Sequence, residues 1–342
     1  MMALERDRSE GRMDESYGGR VGGASVREAQ RTLTRLGGTA PPAGDALLET
    51  RSQPAMPPHL ERAELIEGTR LEARDVAGAP VPGCSAFLDG IQRSVIASYV
   101  GTVVPVVHGT VAAAIRRRTD RALGTWGGGP LVQRSLHLPV ALAGRALIDA
   151  LEAAGISVVD TLVSDATADA PAARHPQELL ALARQSVQHH REQLEERLAG
   201  AWCAGERSVL YVDGGLSGFT DASRSPHVIG VVKSHRTLYV AADSVTTLAS
   251  LRAGQRSSAF LVATRRRARV ASWYLRLRAN GDPLAGLVRV EVAEAGFDSA
   301  RADLVSRWVL AEREPVSLPD ARWQVMAYGI RDCEEYLRAV AG

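Results

Sequence analysis

The spacing of apolar positions changes from one stretch of the chain to the next. Over Pro176 to Cys203 the residues Leu179, Leu180, Leu182, Ala183, Val187, Leu194, Leu198 and Trp202 recur mostly at three- and four-residue steps, which predicts a long amphipathic helix. Directly after it, Val209, Leu210, Tyr211 and Val212 run together between Arg207-Ser208 and Gly214-Gly215, the pattern of a short buried strand. Ala86, Phe87 and Leu88 repeat that arrangement within a strand expected at about 84–89. The valine-rich stretch 95–109 predicts a second strand and part of a third. The Ala-Ala-Ala-Ile that follows favours helix, with Arg116, Arg117, Arg118 and Arg121 in or after it on what is by default a solvated face. Residues 156–160, 227–235 and 237–242 are strand-like, and residues 270–278 and 286–292 alternate around a turn as a hairpin does.

The two ends read differently. Residues 1–23 are polar and glycine-containing, the composition of a disordered segment. Ser25 is placed to cap a short helix with Val26, Ala29, Leu33 and Leu36 on one face and Gly37-Gly38 after it. Five prolines between residues 39 and 58 mark a linker, and Leu60, Ala63 and Ile66 suggest a second helix over about 59–74, interrupted by Gly68. At the far end, Ser317-x-x-Asp320 with Pro319 predicts the start of a last helix. The expected organisation is therefore a flexible extension over 1–57, a helical lead-in over 58–79 and a mixed α/β body over 80–342. The N-terminal segments suit association with a partner or a second subunit.

Composition narrows the class. At 342 residues, with 45% hydrophobic and 23% charged positions, the chain can bury a large core. Net charge is +2, so affinity for a polyanion has to come from local clustering. Lys233 is the lone lysine among 41 basic residues. Cys84, Cys203 and Cys333 have no CxxC spacing and are odd in number, which argues against a disulfide framework or a zinc site and suits a reducing cytoplasm. The N-terminal residues have mixed charge without an apolar segment, and no apolar run approaches the ~18 residues of a membrane span, so neither secretion nor membrane insertion is expected.

The candidate chemistry is carboxylate chemistry. Asp213 and Asp89 each end an apolar run and precede glycine. Either alone reads as a turn-forming Asp-Gly; together they could bring two carboxylates side by side. Glu192, Glu195 and Glu196 lie in the last third of the long helix, where a solvated face paired with arginines is the ordinary reading. Two aspartates and a glutamate would form an oxygen-donor site for Mg²⁺ or Mn²⁺, and a pair of such ions serves phosphoryl displacement. No GxxxxGK[ST] loop, HExxH or GxSxG competes. Lys233 could meet a phosphate or balance the acids. The arginines between 252 and 278, including Arg265, Arg266, Arg267 and Arg276, with Trp273 and Tyr274, could line a groove for single-stranded DNA.

FLDGIQRS, REQLEERLA and YVDGGL, followed in order by GVVKS, SWYLRL and GLVRVEV, resemble the motifs of the NurA nucleases, partners of the HerA ATPase translocase, over roughly residues 80–338. The resemblance implies an RNase H-like mixed sheet flanked by helices, here with an added β-hairpin region and the N-terminal helical extension. It implies metal binding by Asp89, Asp213 and Glu195, with Glu196 and Glu192 as alternates. It further implies two Mn²⁺ or Mg²⁺ ions, 5′-to-3′ exonuclease and single-strand endonuclease activity on DNA, a homodimer, a hexameric HerA-type partner and a cytoplasmic, nucleoid-associated role in end resection and recombinational repair. The family often has a histidine in its last helix; here Tyr328 falls at that place. An actin-like phosphotransferase and a catalytically inactive adaptor of the translocase are the rival expectations.

Overall fold

The computed structural model describes residues 21–41, 57–120, 122–162, 174–263, 268–278, 282–313 and 327–341. Strand β1 (Val21–Gly22), helix α1 (Val26–Arg35) and the short strands β2 (His59–Leu60), β3 (Glu64–Leu65) and β4 (Ala73–Asp75) lead to two long strands, β5 (Ala86–Val100) and β6 (Val104–Thr119). Next come β7 (Ala122–Thr125), β8 (Leu131–Leu138), α2 (Val140–Ala143), α3 (Arg145–Ala153), β9 (Val158–Asp160) and the 30-residue helix α4 (Pro176–Gly205). Then follow β10 (Leu210–Asp213), β11 (Val228–Val232), β12 (Thr237–Leu238), α5 (Val245–Ala249), β13 (Gln255–Ser257) and β14 (Phe260–Val262). The hairpin strands β15 (Val270–Arg276) and β16 (Leu287–Ala293) precede α6 (Ser299–Ala311) and α7 (Tyr328–Ala341).

Among the described residues one mixed sheet dominates, with the path β1-β8-β6-β5-β10-β11-β16-β15-β13-β4. Its centre has the RNase H-like order: β5, β6 and β8 form an antiparallel meander, and β10 then returns parallel to β5 with β11 parallel beyond it. A parallel return requires a crossover. The long helix α4 supplies it. The β15/β16 hairpin extends the sheet antiparallel from β11.

Both sheet faces are covered, which is why its central strands read as unbroken apolar runs. Ala86, Leu88, Leu210 and Val212 pack with Ala183, Val187, Leu194, Leu198 and Trp202 of α4. Phe87, Tyr211, Ile229 and Val231 point the other way, to Val305 and Val309 of α6 and Ile330 and Cys333 of α7. Ser25 caps helix α1 as expected, in a capping box completed by Glu28, and Ala29 and Leu33 of the helix are fully buried against Ala97, Val106, Leu136 and Leu138. It is thus part of the packed body.

Several expectations change. The strand expected to stop at residue 89 runs on to Val100, so Asp89-Gly90 lies inside a strand and forms no turn. Residues 112–115 are strand and not helix: Ala113 packs with α4, while Ala112 and Ala114 meet Leu337 and Ala341 of α7. Small side chains there let helices approach both faces, and that packing overrides alanine's helix preference. Residues 59–74 form no helix; Gly68 has φ +79°, and the flanking residues pair in β2, β3 and β4 instead. Of residues 156–160 only Val158–Asp160 form a strand, half-buried beside β8, while Ile156 packs in the core before it. Helix α6 was not expected. The start of the last helix proposed at Ser317 lies outside the described residues, as do residues 1–20, and helix is described from Tyr328 onward.

Candidate metal centre

Parallel pairing sets the first two acids side by side. Leu88 of β5 is opposite Val212 of β10, so Asp89 and Asp213 are the next residues of neighbouring strands. Asp89 shares its sheet face with Phe87, the face covered by α7. The helix lies very close there: a Cβ on Gly329 would overlap the Phe87 ring, and the Cys333 thiol donates to the Phe87 carbonyl at 3.2 Å. That seating brings Glu334, the residue after Cys333, over the two aspartates. Carboxylate oxygens of Asp89, Asp213 and Glu334 lie within 4.8 Å of one another.

Glu195 reaches the same strand from α4. A Cβ on Gly90 would run into the Glu195 carboxylate, so the glycine is needed for close approach and not for a turn. Arg191, one turn earlier on α4, ion-pairs with Glu195. Lys233, just beyond β11, donates to Asp213 Oδ2 at 2.8 Å, and Arg338 pairs with Glu334 at 3.0 Å. A cleft of about 680 Å³ opens over Asp89, Asp213, Lys233, Glu334, Arg191 and Arg338.

The electrostatics are strained towards extra positive charge. Burial pushes the Asp89 carboxyl well above the usual range, the charges of Asp213 and Glu195 push it further, and Lys233 only partly offsets them. Burial raises Glu195 to about 7, against the pull of Arg191 and with additional push from Glu192 and Asp213. An all-oxygen donor set whose members resist ionising together is what a hard divalent cation relieves. The residues present therefore fit such an ion.

A second buried acid holds the loop that follows Asp213. Glu291 of β16, fully buried and 2.7 Å from Arg289, accepts from the Leu216 amide at 2.7 Å. Gly214, with φ +141°, makes the turn, and its amide donates to the Val231 carbonyl at 3.1 Å. Neither Glu291 nor Glu334 stands out in the sequence. An acid inside the alternating Val-Arg-Val-Glu-Val, and a glutamate beside the apolar stripe of the last helix, were the only signals.

The other candidates sit as follows. Glu196 turns away and accepts from the Thr220 amide and hydroxyl, while Glu192 is half-buried and accepts from Gln188. Tyr328 opens α7, is 37% exposed and does not line the cleft; Glu334 is the residue that helix delivers. Trp273, Tyr274 and Arg276 are withdrawn from any DNA surface by burial. Trp273 Nε1 donates to Ser306, the Tyr274 hydroxyl accepts from the Tyr239 amide, and Arg276 clamps the carbonyls of Leu251, Ala249, Pro283 and Ala285. Both-face burial of β15 defeats the alternation that suggested an open groove. Arg265, Arg266 and Arg267 lie outside the described residues. Arg116, Arg117 and Arg118 pair with Asp332, Glu206 and Glu312. His108 and His235 are structural, each bonded to a backbone carbonyl.

Fold and site together define a mixed α/β protein with an RNase H-like sheet and a carboxylate cleft suited to a hard cation. No protein-family model matches the chain, nor does any curated protein. Among solved structures, the crystal structure of the NurA nuclease from Sulfolobus solfataricus is similar at a TM-score of 0.40 and 10% identity, over 82% of this chain and 85% of that one. Among the described residues no helix is long and apolar enough to cross a membrane.

Proposed function

We propose that the chain is a metal-dependent nuclease of the NurA type that hydrolyses DNA phosphodiester bonds. The observation that carries this is the convergence of Asp89, Asp213 and Glu334 in one open cleft, with Glu195 behind Asp89 and Lys233 beside Asp213. The ordered series of sequence motifs supports the same reading. Asp89, Asp213 and Glu334 would hold the cation, with Glu195 beside them. A divalent cation in such a site supplies Lewis acidity to phosphoryl oxygens and lowers the pKa of bound water.

The chain's own residues do the positioning. Lys233 holds Asp213 in place and presents a positive charge to an incoming phosphate. Arg191 fixes Glu195, and Arg338 fixes Glu334. The Glu291 brace keeps the Asp213 loop from relaxing away from β5.

The finer reading is 5′-to-3′ exonuclease and single-strand endonuclease activity with two ions and Mn²⁺ preferred. It includes action as a homodimer with a hexameric HerA-type translocase in end resection and recombinational repair. The test uses purified protein with end-labelled single- and double-stranded DNA in Mn²⁺, Mg²⁺ or EDTA. Cleavage in Mn²⁺ that EDTA abolishes is expected. Inert protein that still binds the translocase would establish the adaptor instead, and phosphate transfer from a nucleotide would establish the phosphotransferase.

A further inference from the structure

The carboxylate cleft does not end at Arg338. A second cleft, of about 250 Å³, shares Arg93, Thr110 and Ala341 with it and continues over Arg134, Arg27 and Ser25. Strand pairing makes this floor a straight row. Arg93 of β5 is opposite Thr110 of β6, and Thr110 is opposite Arg134 of β8, so the three share one face of three adjacent strands. Arg93 and Arg134 are two strand spacings apart, ~10 Å, and Arg93 lies four residues from Asp89, ~13 Å along the strand. Arg27, in the first turn of α1, closes the far wall.

Charge distinguishes this row from the arginines that are neutralised within the fold. Arg116, Arg117, Arg118, Arg191, Arg256 and Arg289 are each ion-paired with a carboxylate. Among the described residues Arg27, Arg93 and Arg134 have no ion-pair partner. Glu28 lies close enough to feel Arg134 but is engaged with Ser25 in the capping box. The hydroxyl of Thr110 adds a polar group between two unpaired guanidinium groups. A guanidinium fork matches the oxygens of a phosphate with two parallel hydrogen bonds.

We propose that the row Arg93, Thr110 and Arg134, with Arg27, is a phosphate track that receives the DNA backbone leading away from the carboxylate cluster. The proposal rests on the nuclease reading of that cluster. It assigns the backbone contacts to the β5-β6-β8 face, not to the β15 segment. The row lies on the face that carries Asp89, so a strand held there passes directly over the acids.

The experiment compares full-length wild type with Arg93→Gln/Arg134→Gln and Arg93→Lys/Arg134→Lys. Binding of a fluorescein-labelled single-stranded oligonucleotide is measured in Ca²⁺ across a salt series, and cleavage kinetics in Mn²⁺. Two lost phosphate contacts should flatten the slope of log affinity against log salt by about 1.4. Affinity at low salt should fall at least tenfold, and the loss in kcat/KM should fall mainly on KM. The lysine pair, keeping both charges, should keep the wild-type slope. An unchanged slope and KM in the glutamine pair overturns the track while leaving the nuclease reading intact, and so does a lysine pair as flat as the glutamine pair. Wild type that binds DNA through these arginines yet never cuts it supports the track and refutes the nuclease. Wild type that neither binds nor cuts overturns both.

Discussion

Replacing Glu195 with glutamine should flatten the pH dependence of stability. In the folded chain this carboxyl titrates at about 7, because burial opposes its charge, against an ordinary value of 4.5. Between those pH values the folded state keeps a proton that the unfolded chain has released. Stability therefore falls as pH rises from about 4.5 to about 7 and stays lower above that. At about 1.4 kcal/mol per unit, the displacement corresponds to roughly 3 kcal/mol. With an unfolding entropy of about 2.1 cal/mol/K per residue, that is roughly 4 °C in Tm for a chain of this size. The assay is thermal unfolding of wild type and Glu195→Gln in EDTA from pH 5 to pH 8. Wild type should lose stability across that range, through Asp89 as well as Glu195, while the variant loses less and overtakes it near pH 8. Saturating Mn²⁺ should raise the wild-type midpoint more than the variant's. Parallel pH profiles for the two proteins would refute the reasoning.

Asp89→Asn and Asp213→Asn should each lower DNA cleavage by at least 10²-fold, and the Asp89→Asn midpoint in EDTA should be held or raised, because that buried carboxyl resists ionising beside Asp213 and Glu195; near wild-type cleavage at saturating Mn²⁺ would remove that residue from the site. Glu334→Gln should lose cleavage while Tyr328→Phe keeps it, measured side by side on one substrate, and the opposite ranking would return the role to Tyr328. Trp273→Ala should cost about 3–5 kcal/mol in denaturant unfolding, as truncating a fully buried aromatic does, and a normally stable variant with weakened DNA binding would put the ring back on a surface. Deletion through residue 57 uncovers the packing partners of Leu33 and should lower the thermal midpoint by several degrees, and an unchanged midpoint would detach α1 from the packed body.

The legible parts of the fold were those decided locally. The period of α4, the apolar run into Asp213, the Ser25 cap and the β15/β16 hairpin all follow from neighbouring residues. The parts decided by packing were hidden. Ala112 to Ile115 reads as helix because alanine favours helix, and only two helices pressing on both faces of β6 make it strand. Asp89-Gly90 reads as a turn because Asp-Gly commonly is one, and only the approach of Glu195 shows that the glycine serves as space. Trp273, Tyr274 and Arg276 look like a nucleic-acid surface until both faces of β15 are seen to be covered. Of the candidate site, Asp89 and Asp213 were readable from paired motifs. Glu334 was not, because nothing local distinguishes it from Glu335; the contact between Gly329 and Phe87 decides which one overlies the aspartates. Helix α6 was readable in principle, since Ala302, Val305, Ser306, Val309 and Leu310 fall on one helical stripe after the Asp298 cap.

Under the proposed function, carboxylates from β5, β10 and α7 form one cation site inside a DNA-cutting cleft. Crystals grown with Mn²⁺ and measured at the manganese absorption edge would test it most directly. An anomalous peak bounded by Asp89, Asp213 and Glu334, and missing in Asp213→Asn, is the predicted result. Density at the edge confined to other positions, in a protein that cleaves DNA only with Mn²⁺, would contradict it.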